Sequence, residues 1–121
     1  GIVVMNPAQE PIQSIRAWMR FDPAVVSVDD LAVADARFEL FAPGEHTVDQ
    51  VEGVLKLGAA VHTPVHDEEI LFATFTARTS SKDALLTFYD WRAEGDGHTA
   101  VLSLTETSVK NILTVPPSFE L

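Results

Sequence analysis

The chain has 121 residues, 46% of them hydrophobic, no cysteine, and 18 acidic against 8 basic side chains, for a net charge of −10. The length suits one domain with an ordinary core, the composition argues against intrinsic disorder, and zero cysteine excludes a disulfide framework and thiol chemistry. So acidic a surface repels phosphate backbones and anionic lipid heads, which argues against nucleic acid and membrane surfaces as partners, and the longest apolar stretches are too short for a membrane-spanning helix.

Taken in order, the elements follow a period of two, and the 3.6-residue period of a helix is nearly absent. GIVVM begins a first strand. Residues 12–21 form the clearest one, with Ile15, Ala17, Met19 and Phe21 on one face and Ser14, Arg16, Trp18 and Arg20 on the other. Asp22-Pro23 ends it, because proline lacks a ladder donor and pre-sets a turn. Residues 24–28 predict a short strand. Residues 29–36 are alanine-rich enough to suggest one or two helical turns, too short to hold unaided. A strand over 38–41 closes at Pro43-Gly44. Residues 51–61 are a longer apolar run broken by Gly53 and Gly58, and 62–69 form an acidic loop around Pro64. Residues 70–78 alternate again, Ser80-Ser81-Lys82-Asp83 is a turn, and 84–91 follow as a strand. Glu94-Gly95-Asp96-Gly97 signals a hairpin into 99–105, and 111–115 make a last strand before Pro116-Pro117. About eight short strands without βαβ alternation predict an all-β, antiparallel sandwich over residues 1–121.

Chemistry-bearing motifs are sparse. His62 and His66 stand four apart beside Asp67, Glu68 and Glu69, but Pro64 between them argues for a solvated loop rather than a metal site. His46 and His98 read as ordinary loop residues. Asp29-Asp30 and Glu94-x-Asp96 each bring two carboxylates, and neither forms an EF-hand pattern. No Gly-x-Ser-x-Gly elbow, glycine-rich phosphate loop or spacing-defined catalytic set is present. The expectation is a non-enzyme without cofactor or metal. Trp18 between Arg16 and Arg20 has two readings. Either the arginine stems cover it on a solvated sheet, or the trio is a binding hot spot, since Trp and Arg dominate interfaces. Phe88, Tyr89 and Trp91 cluster near a strand end, where a core or rim role suits them better than a sugar platform.

Three stretches resemble a cohesin-like domain, the family that binds dockerins in cellulosomes and belongs with the cellulose-binding-module sandwiches. PIQSIRAWMRFDPAVVSV (residues 11–28) is similar to the family's strand ending in aromatic-Asp-Pro and the valine-rich strand after it. EEILFATFTART (68–79) resembles its Phe-Ala-Thr strand, and AEGDGHTAVLSL (93–104) its late hairpin. The resemblance implies jelly-roll topology, an extracellular or cell-surface setting, and a protein partner, dockerin-like or a second copy, bound through one exposed sheet face. Ser14 and Arg16 fall where cohesins often carry the Asn and Asp that contact dockerin, so Arg16 reverses a charge. With Trp18 and Arg20 they make the expected partner-binding face.

Two other functions stay open: a carbohydrate-binding module that stacks polysaccharide on Trp18 or on the Tyr89/Trp91 region, and a structural spacer of a bacterial surface protein. The family usually has a strand before the one that GIVVM begins. Its lack here predicts an open sheet edge, filled by a second copy or by the tail after Pro117. With Gly1 in place of an initiator Met and no signal peptide in view, the chain reads as a piece of a larger protein.

Overall fold

In the computed structural model of the chain, which describes residues 1–82, 84–88, 99–104 and 109–113, the alternation along 12–21 becomes an alternation in burial. Ile15, Ala17, Met19 and Phe21 are 6% exposed or less, while Ser14, Arg16 and Trp18 are half-buried and Arg20 is exposed. Ten strands are formed among the described residues: β1 (Ile2–Met5), β2 (Ile12–Phe21), β3 (Val26–Val33), β4 (Phe38–Leu40), β5 (His46–Asp49), β6 (Val54–Val65), β7 (Glu69–Thr79), β8 (Leu86–Phe88), β9 (Ala100–Leu104) and β10 (Val109–Asn111). No described residue is helical, so among the described residues no helix is long and apolar enough to cross a membrane.

The strands make two antiparallel sheets. The smaller has the order β1-β7-β3. The larger runs β10-β9-β2-β6-β4, with β8 also on β2 and β5 also on β6. One core joins them: Ile15, Met19, Leu55, Leu57 and Val61 from the large sheet meet Ile2, Val26, Ile70 and Phe72 from the small one. Phe38 and Phe72, both fully buried, meet edge to face with ring centroids 5.4 Å apart. This is the all-β, antiparallel, two-layer architecture that the alternation implies.

Bulges explain where simple alternation fails. Ile12 pairs with Val65 and Ser14 with Ala60, so β6 carries extra residues across an irregularity that holds His62, Thr63 and Pro64. Pro64 therefore lies inside a strand, at a bulge, where a sheet can tolerate it, and only residues 66–68 remain of the acidic loop expected over 62–69. On β3, Asp29 pairs with Thr76 and Ala32 with Thr74, and Asp30 takes a positive φ of 57° between them. That bulge replaces the helical turns suggested by the alanines: the strand simply continues to Val33. On β7, Phe72 and Ala73 are both fully buried, because a register shift opposite Ile2 and Val3 turns the core face over.

Three smaller expectations also change. The strand after Pro23 begins at Val26. Val51 lies outside any strand and is 84% exposed, in the turn that precedes β6. There Asp49 accepts the amides of Val51 and Glu52 at 3.0 and 2.9 Å, and Gly53 adopts φ 74° with its carbonyl on Phe21 N at 2.9 Å. The late strand expected at 111–115 is found at 109–111 and does not include 112–113, while 114–115 lie outside the described residues. The hairpin at 94–97, His98, Tyr89, Trp91 and Pro116-Pro117 lie outside the described residues.

Candidate functional site

The four expected face residues project from β2, the central strand of the large sheet, away from the core. Ser14 is flanked in register by Ala60 and Leu102, Arg16 by Gly58 and Ala100, Trp18 by Lys56, and Arg20 by Val54 and Thr87. Arg16 thus stands between two small residues in register.

Two of the four are held in place by residues that local sequence does not link to them. Arg16 Nε donates to Glu45 Oε1 at 2.5 Å, and the two side chains are only 17% and 14% exposed. Glu45 enters from the turn before β5, where Gly58 N donates to its backbone carbonyl at 2.8 Å. A Cβ on Gly58 would sit 2.9 Å from the Glu45 carboxylate, so the glycine is the space through which Glu45 reaches Arg16. Trp18 carries the Lys56 ammonium 4.5 Å from its ring centroid, a cation–π contact. Its backbone sits where the neighbour of β2 changes from β9 to β8. Thr99 Oγ1 bridges that gap, accepting from Trp18 N at 3.1 Å and donating to Trp18 O at 2.9 Å. Glu45, Lys56 and Thr99 are thus the site residues that sequence reasoning misses. Only the topology brings them to β2, although Gly58 in the middle of a strand hints at a close approach.

The histidine cluster is dispersed. His62 Nε2 lies 2.9 Å from Glu39 Oε1. Asp67 turns instead to Arg37, whose guanidinium forks onto Asp67 at 2.9 and 3.0 Å and onto Asp35 at 3.0 and 2.6 Å. The guanidinium holds both carboxyls below the usual carboxylate range, chiefly by direct hydrogen bonding. The two carboxylates in turn push the Arg37 pKa further up. This clamp ties the turn after β3 to the turn before β7 and is structural in character. Among the described residues, no three His, Asp or Glu side chains gather to hold a metal ion.

A second feature is a cleft of about 600 Å³ between the layers. It is lined by β1 and the loop after it, by Ile12, Ile15, Arg16 and Ala17 of β2, by Phe88, Thr99 and Val101, and by residues 110–113. It opens between β1, an edge of the small sheet, and β10, an edge of the large one. Neither a family model, nor a curated protein, nor a solved structure matches this chain.

Proposed function

We propose that this chain is a non-catalytic, cohesin-like module of jelly-roll topology that binds a dockerin-like or other surface protein through the outward face of β2. The observation that supports the reading is the fixing of Arg16 by Glu45 and of Trp18 by Lys56. Interface energy concentrates in Trp and Arg anchors, and an anchor already immobilised loses less side-chain entropy on binding. Ser14 and Arg20 flank the pair on the same face. The −10 charge of the chain favours a cationic partner surface. An extracellular or cell-surface setting belongs to the same reading and rests on the cohesin resemblance.

Polysaccharide stacking on Trp18 is less favoured, because Lys56 takes one face of the ring that a sugar would use. The test is a side-by-side pull-down from the extracellular fraction of the source, with a panel of dockerins added, using the unmodified domain and an Arg16→Glu/Trp18→Ala variant. A partner retained only by the unmodified domain supports the proposal. Equal capture by both refutes the β2 face, and capture by neither leaves the structural spacer.

A further inference from the structure

The two edges of the small sheet are treated differently. Along β3, the Gln50 side-chain amide stands in for a neighbouring strand: Val28 N donates to Gln50 Oε1 at 3.1 Å, and Gln50 Nε2 donates to Val26 O at 2.8 Å. His46 Nε2 lies 3.0 Å from Leu31 O on the same edge. That side of the sandwich is capped. Along β1, the only described neighbour is β7. In an antiparallel pair every second residue turns its N–H and C=O away from the partner strand, so β1 presents a row of backbone donors and acceptors at the mouth of the apolar cleft. Four residues give an edge about 13 Å long at the usual strand rise.

A rounded apolar ligand would use the cleft and ignore that backbone row, whereas an added strand uses both. We infer that β1 and the cleft behind it form a receptor for an extended segment of another protein. The segment pairs with β1, sends alternate apolar side chains between the layers, and carries Lys or Arg at the end that meets Met5.

Charge on the page sets the last feature. Met5 pairs with Glu69, Asn6 N donates to Glu68 O at 2.7 Å, and Asn6 Nδ2 donates to Glu10 O at 3.0 Å. Three acidic residues therefore stand near that end of β1; Glu68 Oε1 accepts from Gln9 Nε2 at 3.1 Å, and Lys110 is the basic residue among the cleft's lining there. A second copy of this chain fits poorly. Its own β1 already commits Ile2 to its core, with Val4 packed against that core, so it could lengthen the sheet but not fill the cleft. Two copies at −10 also repel. The inference rests on the chain being a protein-interaction module; the cleft shares Arg16 with the β2 face, so the two are told apart by whether the peptide shifts the amides of Ile2–Met5 or those of Trp18 and Arg20.

The experiment titrates isotopically labelled protein with a hexapeptide in which valine alternates with threonine behind a leading lysine. Two control peptides carry glutamate for that lysine, or proline at the central valine. Saturable binding that shifts the amides of Ile2–Met5 and slows their exchange is expected. Loss of binding with the proline peptide is expected too, as is a roughly fivefold weakening with the glutamate peptide that fades as salt is raised. Equal binding of all three peptides would overturn the inference, since backbone pairing and charge would then be irrelevant. So would β1 amides already protected in the free protein with no peptide bound, which means the chain fills its own edge. A dimer in sedimentation that buries β1 would also overturn it.

Discussion

The Arg16–Glu45 pair can be tested quantitatively with Glu45→Gln, Glu45→Ala and Arg16→Met. Two unit charges about 4 Å apart at an effective dielectric of about 20 attract by about 4 kcal/mol, but desolvation of partly covered groups offsets most of that. Exposed pairs contribute about 0.2–1 kcal/mol, whereas removing one partner of a fully buried pair costs about 3–5 kcal/mol. With side chains 17% and 14% exposed, this pair falls between the two. Glu45→Ala should therefore cost about 2 kcal/mol. Glu45→Gln should cost about 1 kcal/mol, because the amide keeps the shape and an acceptor but loses the charge. A double-mutant cycle with Arg16→Met isolates the pair from everything else either residue touches, and a coupling of about 1 kcal/mol is expected. Urea midpoints at constant slope supply the numbers. A coupling below about 0.3 kcal/mol would mean that Glu45 does not hold Arg16, and the support for a preorganised anchor would go with it.

Phe72→Ala should cost about 3–5 kcal/mol in denaturant titration, since it removes a fully buried ring and its edge contact with Phe38. Gly44→Ala should cost about 1 kcal/mol, because φ 78° is strained for alanine but no atom lies near the new methyl. Gly53→Ala, at φ 74°, should cost more in the same titration, because its Cβ would overlap the Phe21 carbonyl oxygen. Acid unfolding should report the Arg37 clamp. Asp35 and Asp67 have folded-state pKa values below their unfolded ones. Their stabilisation is therefore fully present above the unfolded carboxylate value of about 3.9 and is lost as pH falls through the lowered folded values. Arg37→Met should flatten that acid limb, and an unchanged limb would show that the clamp contributes nothing.

Fold class was legible because burial imposes a period of two wherever a strand has one wet face, as at Ile15, Ala17, Met19 and Phe21. What escaped was every place where the period breaks. Alanine composition at 29–36 suggested helix, yet a single left-handed residue, Asp30, lets the strand turn and continue. Pro64 suggested a loop, yet a bulge spares it the hydrogen bond it cannot make. The face of β2 was readable from alternation alone. Its fixings were not, because Glu45 and Thr99 lie 29 and 81 residues from their partners on β2.

The same bulges divide the molecule into a finished side and an unfinished one. The register shift at Asp29 and Ala32 lies on the edge that Gln50 and His46 cap, so an incoming strand would find neither regular spacing nor vacant backbone there. The shift on β7 at Phe72, by contrast, adds Ala73 to the core beside Ile70 and Phe72, while Leu71 stays 48% exposed beside Val3 at 45%. Apolar surface thus remains on the outside of the strand pair whose outer edge has no partner strand among the described residues. If edges were managed only by chance, capping and apolar exposure would not sort to opposite edges of a three-stranded sheet. Among the described residues, this separation is what the inferred strand addition at β1 requires.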